Sequence, residues 1–356
     1  TAADEELLLA LGAIAAAAIE NASLYEEIER LFEGFVTASV TAIEARDPTT
    51  SGHSERVATM SVLCLELLPQ AGPAFAHVLA RPRELRELRY AALLHDFGKV
   101  GVREHVLVKA DKLYPHQLEL IRARFGKARL EAELEFLRAR SGLLERVGAR
   151  AAQAELARLE SAWRTRDEEL AAMLQFVERA NRPTVLESGG LERIDAMSTM
   201  LAEDERMNLM IPRGSLNEKE RKEIESHVVH THNFLRQIPW TRELARVPDI
   251  AGTHHEKLDG TGYPRGLRAA DIPVEARIMT IVDIYDALTA ADRPYKSALP
   301  HGKALEILEA EASRQKIDRA ILQVFVEADV PGRATALRNA GRFDGDATVE
   351  LRPILR

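Results

Sequence analysis

The chain has 356 residues, of which 46% are hydrophobic and 29% are charged, and its formal net charge at pH 7 is −8. This composition is typical of a globular protein with its own core, and the acidic excess excludes a basic surface for bulk nucleic acid or an anionic membrane. Because Cys64 is the single cysteine, a disulfide framework is excluded, and we expect the protein in a reducing cytoplasm.

Residues 1–35 are predicted to form a helix. Its apolar or small positions recur at alternating spacings of four and three, which is the period of 3.5 that paired helices share. These positions are Leu7, Leu11, Ile14, Ala18, Asn21, Tyr25, Ile28, Phe32 and Phe35. We interpret the segment as a signal helix that pairs with a second copy, and a helix packed on its own domain stays open as the alternative. No apolar run is expected to span a bilayer, so no membrane contact is predicted within this chain.

Helical periodicity dominates the rest of the chain. His53 is predicted at a helix start, and the helix in "LRELRYAALLHDFGKVGV" runs into His95 and Asp96. Residues from about 113 to 215 carry Glu, Arg, Ala and Leu at helical spacing, which indicates an inserted helical hairpin. Ser215, with Glu218 three residues later, is the predicted N-cap of the next helix. Strand signals are scarce, so the predicted fold class is all-α.

Five histidines and two aspartates form the candidate site. Asp283 lies in the apolar run "IMTIVDIYDALTA", where an unpaired carboxylate is costly and a metal is one natural partner. Together the seven side chains are enough to hold two divalent cations, a kind of site that hydrolyses phosphate esters. The adjacent pair His254 and His255 can reach one cation only if the chain leaves the helix there. The seven residues are His53, His95, Asp96, His227, His254, His255 and Asp283.

Four segments carry a resemblance to a known family: "GHSERV", "LLHDFGKVGV", "HHEKLDGTGYPRGL" and "DIYDALTAADRPYK". In this order they resemble the HD-GYP phosphodiesterases, a branch of the HD superfamily that hydrolyses cyclic di-GMP. The resemblance covers about residues 36–112 and 216–312. It implies an HD-superfamily helical bundle at 36–356, with a long helical insertion at about 113–215. The segment 1–35 is then a coiled-coil-like helix that resembles the last helix of a GAF sensor domain.

The resemblance also implies roles for single residues. His53, His95, Asp96 and Asp283 would hold one metal, and Asp96 would bridge to a second held by His227, His254 and His255. Lys99 and Asp96 would be catalytic, and Arg293 and Lys296 would grip a phosphate of the substrate. The loop beside the site would consist of Gly260, Gly262, Tyr263 and Pro264. Thr49 replaces the glutamate of family members with a third metal, so two ions, Fe or Mn, are expected. His230 or His232 is a candidate to assist His227.

The expected function is metal-dependent hydrolysis of cyclic di-GMP to pGpG, and the end product, pGpG or GMP, stays open. The alternatives are a phosphodiesterase for another cyclic dinucleotide and a signalling module that binds cyclic di-GMP or a partner without turnover. Expected partners are cyclic di-GMP, a second copy of the chain, and diguanylate cyclase (GGDEF) domains.

Overall fold

Helices joined by turns and short 3-10 segments make up the protein. The computed structural model describes residues 2–47, 51–290 and 298–340. Within these residues the β pairing is limited to one isolated antiparallel bridge, between Asp259 and Arg268, and no strand forms. The predicted all-α class is confirmed.

Fourteen α-helices are found in the described residues. In chain order they are α1 (Ala2–Arg46), α2 (His53–Leu67), α3 (Pro82–Leu94), α4 (Glu104–Leu107), α5 (Pro115–Ala180), α6 (Gly190–Ala196), α7 (Glu203–Leu209), α8 (Glu218–Glu225), α9 (His227–Leu235), α10 (Val247–Ala251), α11 (Val274–Thr289), α12 (His301–Ser313), α13 (Arg319–Glu327) and α14 (Val330–Asn339). A 3-10 segment, Phe97–Gly101, follows α3.

The first helix is longer than the predicted segment 1–35. Its residues up to Leu31 are exposed, apart from the undescribed side chains of Thr1 and Glu6. Near its C-terminal end, Phe32 makes edge-to-face contacts with Tyr90 and Trp240, and Val36 is fully buried. The alternative of a helix packed on its own domain is therefore correct only for the last third of α1.

The prediction that no apolar run approaches a bilayer span is wrong for α1. An 18-residue window of this helix has a mean hydropathy of 1.8, so the helix is long and apolar enough to cross a membrane by length and composition. The prediction failed because the charged residues cluster at the two ends of the alanine-rich stretch and leave its centre free of them. Core helices and signal sequences share this composition, so it does not by itself assign a membrane.

One compact unit comprises the described parts of residues 1–104 and 224–356. Its core lies between α2, α3, α10, α11 and the three C-terminal helices, where Leu88, Ile281 and Phe325 are fully buried. Cys64 belongs to this core and is fully buried, as free cysteines often are. The core fixes the helix ends from which the candidate site is built.

The second compact unit comprises residues 105–223 and has its own core around Phe125 and Phe176. Helix α5 consists of two arms that meet at Gly148, whose φ is 73°. Phe136 of the first arm stacks on Trp163 of the second, with ring centroids 5.2 Å apart. This hairpin corresponds to the insertion predicted at about 113–215.

The cap before α8 differs from the prediction. The helix begins at Glu218, and Asn217 is its cap: Asn217 Oδ1 accepts from the backbone N–H of Glu220, and Glu220 Oε2 accepts from that of Asn217, both at 3.0 Å. Ser215 instead donates its hydroxyl to the Lys109 carbonyl. Serine and asparagine are both favoured N-cap residues. The helix begins two residues later than predicted, so Asn217 takes the N-cap position.

Candidate metal centre

Seven side chains from five separate segments of the first unit converge on one site, and they are the seven predicted from the sequence. Each comes from a helix end or a helix face. His53 begins α2, His95 and Asp96 follow α3, His227 begins α9, His254 and His255 follow α10, and Asp283 lies in α11. The predicted helix start at His53 is confirmed, and the chain has left the helix at His254 and His255, as predicted. The exit comes before this pair, because α10 ends at Ala251, and not, as the sequence predicts, through Gly260 and Gly262.

Three of the histidines are held in the same way. The Nδ1 atoms of His95, His227 and His254 each lie 2.6 Å from the backbone carbonyl three residues earlier. An Nδ1–H that donates to a carbonyl leaves a lone pair on Nε2. In each of the three, Nε2 is buried and has no hydrogen-bond partner among the described residues. Since buried nitrogens are rarely left unsatisfied, these atoms fit the ligand positions of a metal site.

The ligand atoms fall into two groups joined by a third. One group is His53, His95 and Asp283, another is His227, His254 and His255, and the third is His95, Asp96 and His254, with all ligand atoms of each group within 4.8 Å of one another. Asp96 lies between the first two groups: its Oδ1 is 3.3 Å from His227 Nε2, and its Oδ2 is 3.6 Å from His95 Nε2. This placement suits a carboxylate that bridges two cations.

Burial and charge act in opposite directions on the acids and bases of the site. Burial would raise the pKa of Asp96, but the charges of Lys99 and of the nearby histidines hold it well below its usual range. Burial and the neighbouring imidazoles lower the pKa of His254 well below its usual value. Burial would also lower the pKa of His53, but hydrogen bonds to Asp283 and Asp286 raise it to about 9. Asp96 and His254 are therefore in the carboxylate and neutral imidazole forms that bind metals, whereas a cation bound by His53 would displace a proton from it.

Lys99 reaches the centre from the 3-10 segment that follows Asp96. Its Nζ lies 2.9 Å from Asp96 Oδ2 and 3.0 Å from Asp47 Oδ2. Burial would lower the pKa of Lys99, but the two carboxylates raise it above its ordinary value. The side chain is therefore an ammonium at the edge of the site.

Gly98 allows this segment to lie directly against α9. A Cβ on Gly98 would be 1.9 Å from the His227 carbonyl oxygen and 2.4 Å from the backbone nitrogen of Thr231. Thr231 joins the two elements, because its hydroxyl donates to the His95 carbonyl and accepts from the Gly98 N–H, both at 2.8 Å. The glycine of "HDFGK" thus sets the distance between Asp96 and His227.

The loop of the "DGTGYP" segment stands beside His255. The Tyr263 ring lies 4.8 Å from the His255 ring, and Pro264 is exposed. Gly260 has a φ of 83°, and a Cβ on Gly262 would be 2.3 Å from the backbone nitrogen of Lys257. Of the four loop residues predicted from the sequence, Tyr263 therefore lies beside a ligand residue of the centre, and the two glycines allow the tight backbone of the loop.

Other predicted residues lie elsewhere. His232 pairs with Asp249 at 3.2 Å, and the His230 ring lies beside Phe234. Neither belongs to the groups of ligand atoms, so the structure does not bring them to the centre. The predictions on Thr49, Arg293 and Lys296 fall outside the described residues.

Sequence reasoning missed several residues that hold the site in place. Asp286 accepts from Nδ1 of His53, Asp47 pairs with Lys99, and buried Glu256 accepts from the backbone N–H groups of Arg265 and Leu267 in the loop. Asp286 follows Asp283 by three residues in α11, and helical spacing alone places the two on one face. No comparable spacing relates Asp47 to Lys99.

Residues 197–321 match the family model described as the HD domain. The match includes His227, His254, His255 and Asp283, while His53, His95 and Asp96 precede it.

The relatives that this chain matches are named as phosphodiesterases. The chain is 47% identical over 96 residues to the 3'3'-cGAMP-specific phosphodiesterase 3 of Vibrio cholerae, which is 27% of this chain and 20% of the relative. It is 45% identical over 86 residues to a cyclic di-GMP phosphodiesterase of the same organism, covering 24% and 17%. It is 42% identical over 104 residues to the cyclic di-GMP phosphodiesterase response regulator RpfG of Xanthomonas campestris, covering 29% and 25%. The chain spans about a fifth of the length of these relatives. These matches confirm the predicted resemblance of the HD domain, whereas the GAF-like helix stays a prediction.

Proposed function

We propose that the protein is a metal-dependent phosphodiesterase that opens cyclic di-GMP to pGpG, with pGpG or GMP as the end product. The observation that carries the proposal is the convergence of seven metal-type ligands, three of them buried imidazoles whose Nε2 atoms have no other described partner. The names of the relatives supply the substrate class: they are cyclic di-GMP and 3'3'-cGAMP phosphodiesterases.

The seven residues would hold two divalent cations, Fe or Mn, with Asp96 as the shared ligand. When bound, such cations supply charge neutralisation on the phosphate oxygens and activation of water near neutral pH. Imidazole and carboxylate ligands suit several first-row metals, so the ligand set favours Fe or Mn without deciding between them. Asp96 and Asp283 offer the negative charge of the site, and His53, held by Asp286, is oriented toward both of them.

Lys99 is the proposed proton donor and charge stabiliser. Its ammonium is held between Asp47 and Asp96 at the edge of the ligand groups. A cation in this place can stabilise charge that develops on the scissile phosphate or protonate the leaving oxygen. Arg293 and Lys296 would bind the phosphate that is not cut through charge-assisted hydrogen bonds. Tyr263 and Pro264 would shape the entrance to the site.

Turnover by the full chain tests this proposal. Protein purified without oxygen, reconstituted with Fe or Mn and freed of excess metal, is expected to convert cyclic di-GMP to pGpG, with the products separated by ion-pair chromatography. The same assay with 3'3'-cGAMP compares the two substrate classes found among the relatives. Faster turnover of 3'3'-cGAMP would make 3'3'-cGAMP the substrate, while the proposed phosphodiester hydrolysis would stand. Binding of cyclic di-GMP without turnover by fully metallated protein would favour the non-hydrolysing signalling module instead.

A second copy of the chain is the proposed partner of α1. The seam positions from Leu7 to Ile28 recur with period 3.5 and are exposed, as expected for a helix that pairs with a like helix. The proposed location is the cytoplasm, where the messenger and a reduced Cys64 would both be found. Diguanylate cyclase (GGDEF) domains are a further proposed partner, and this rests on the resemblance alone.

A further inference from the structure

The C-terminal end of α1 and the residue that follows it contact the candidate centre through three polar side chains. They are Glu44, Arg46 and Asp47, and each reaches a different part of the site. This end of α1 is packed on the domain, because Val36 is fully buried and Ile43 is buried. The three contacts are therefore made by an anchored turn and not by a free chain end.

Asp47 holds the ammonium of Lys99. The carboxylate is buried, with 4% of the residue exposed, and its Oδ2 lies 3.0 Å from Lys99 Nζ. The second anion near Lys99 is Asp96, at 2.9 Å. Asp96 is also the proposed shared metal ligand, so its charge would be neutralised by the cations. Asp47 is then the carboxylate that continues to orient Lys99.

Arg46 holds the backbone on which Lys99 stands. Its guanidinium donates to the carbonyls of Lys99 and Val100 and, at 2.7 Å, to that of Val102. A planar guanidinium with several donors is suited to fix a turn of this kind. Asp47 therefore holds the side chain of Lys99, and Arg46 holds its backbone.

Glu44 holds the start of the helix that begins with His53. Its two carboxylate oxygens accept from the backbone N–H groups of Gly52, at 2.7 Å, and Ser54, at 3.3 Å. The first N–H groups of a helix have no partner within the helix, and a carboxylate there is favourable. Gly52 itself supplies no side-chain cap, so Glu44 takes this role from α1.

We propose that the C-terminal end of α1 and the residue that follows it position two functional groups of the centre, Lys99 through Asp47 and His53 through Glu44. The proposal rests on the proposed function, because it assumes that Lys99 acts on the phosphate and that His53 binds a metal. Asp47 and Glu44 are positioning residues and touch neither substrate nor metal. Since α1 is one helix from Ala2 to Arg46, the helix that carries the exposed seam also sets the geometry of the site.

The test compares Asp47→Asn with Glu44→Ala in the full chain. Asp47→Asn is expected to keep both metals and to lower kcat on bis(p-nitrophenyl) phosphate by about 10- to 100-fold with little change in KM, because the lost interaction acts through Lys99. Glu44→Ala is expected to lower metal affinity by about tenfold, since it loosens the helix that holds a ligand. Glu20→Gln, an exposed acid on the same helix, is the matched control for both and should change neither quantity.

A double-mutant cycle separates positioning from general stability. In a Lys99→Ala background, Asp47→Asn should cause no further loss of rate, because its effect passes through the absent ammonium. Acetic anhydride labelling read by peptide mass spectrometry should show a more reactive Lys99 in metal-free Asp47→Asn than in wild type. A further loss of rate in the Lys99→Ala background, or unchanged labelling, would overturn the positioning role of Asp47. Unchanged metal affinity in Glu44→Ala would overturn that of Glu44. If the wild type cleaves no phosphodiester, the proposed function fails, while labelling and metal titration still test the contacts.

Discussion

Asp286 Oδ2 accepts a hydrogen bond from His53 Nδ1 at 2.8 Å, although 232 residues lie between the two in the chain. Arg56 binds the same carboxylate, with its Nε 2.7 Å from Asp286 Oδ1. The pair Arg56 and Asp286 therefore fixes the tautomer of His53 that presents Nε2 toward Asp96 and Asp283. Carboxylates behind a metal-binding histidine commonly have this role.

Asp286→Asn is expected to weaken metal binding by about 10- to 100-fold, because the amide no longer orients His53 or supports its basicity. The measurement is metal titration of the apoprotein in competition with a chelator, with circular dichroism to check the fold. Asp249→Asn, which alters the exposed pair with His232 outside the centre, is the control and should bind metal as wild type does. Equal affinities of the Asp286 variant and wild type would contradict the role.

Asp96→Ala is expected to lose bound metal and activity together, since this carboxylate lies between both ligand groups. Lys99→Ala should keep both metals and lose about 100-fold or more in rate, because only charge stabilisation or proton transfer is removed. Elemental analysis and turnover on the same preparations check both outcomes. Wild-type turnover by Lys99→Ala would exclude the catalytic role.

Two metals per chain are expected, because the residue four positions before His53 is Thr49, and a hydroxyl is a poor replacement for a carboxylate on a hard cation. Elemental analysis of protein purified without oxygen checks this ratio. Thr49→Glu places a carboxylate at this position and should raise the number of metals per chain toward three. Three fully occupied metals in the wild type would show that the expectation is wrong.

Arg293→Ala and Lys296→Ala are each expected to raise KM for cyclic di-GMP by about tenfold, because each removes one charge-assisted contact to phosphate. Hydrolysis of bis(p-nitrophenyl) phosphate, which has no second phosphate, should change little. Steady-state kinetics on both substrates check this. Equal losses on the two substrates would assign these residues to the metal core or to the fold.

A dimer through α1 is expected at micromolar concentration. Ile14→Glu, which places a charge in the apolar seam, should give a monomer, whereas Ala16→Glu on the opposite face of the helix should leave the dimer intact. Removal of residues 1–28 should also give a monomer that still binds metal. A longer deletion would remove Phe32, which packs on Tyr90 and Trp240. Sedimentation equilibrium is the measurement, and a monomeric wild type would refute pairing of this helix in solution. Flotation of that monomer with neutral lipid vesicles would show that the helix binds a membrane instead.

The sequence by itself determined the helical class and the candidate ligands. Periodicity predicted helices throughout, and the need for a partner singled out Asp283 in an apolar run. Local geometry also sufficed to predict that the chain is not helical through His254 and His255, although the helix already ends at Ala251. These features depend on neighbouring residues along the chain, so their signals are present in short windows of sequence.

Only the tertiary structure decided which groups support those ligands. Asp286 and His53, and Asp47 and Lys99, meet because separate helices pack together. Helical spacing places Asp286 on the face of Asp283, but nothing local in the sequence pairs it with His53, or Asp47 with Lys99. Packing also decided that α1 is exposed up to Leu31 and anchored from Phe32 onward, although one apolar pattern runs through both parts. The physical reason is the same in each case: burial and hydrogen-bond partners are set by contacts between distant segments, which local periodicity does not encode.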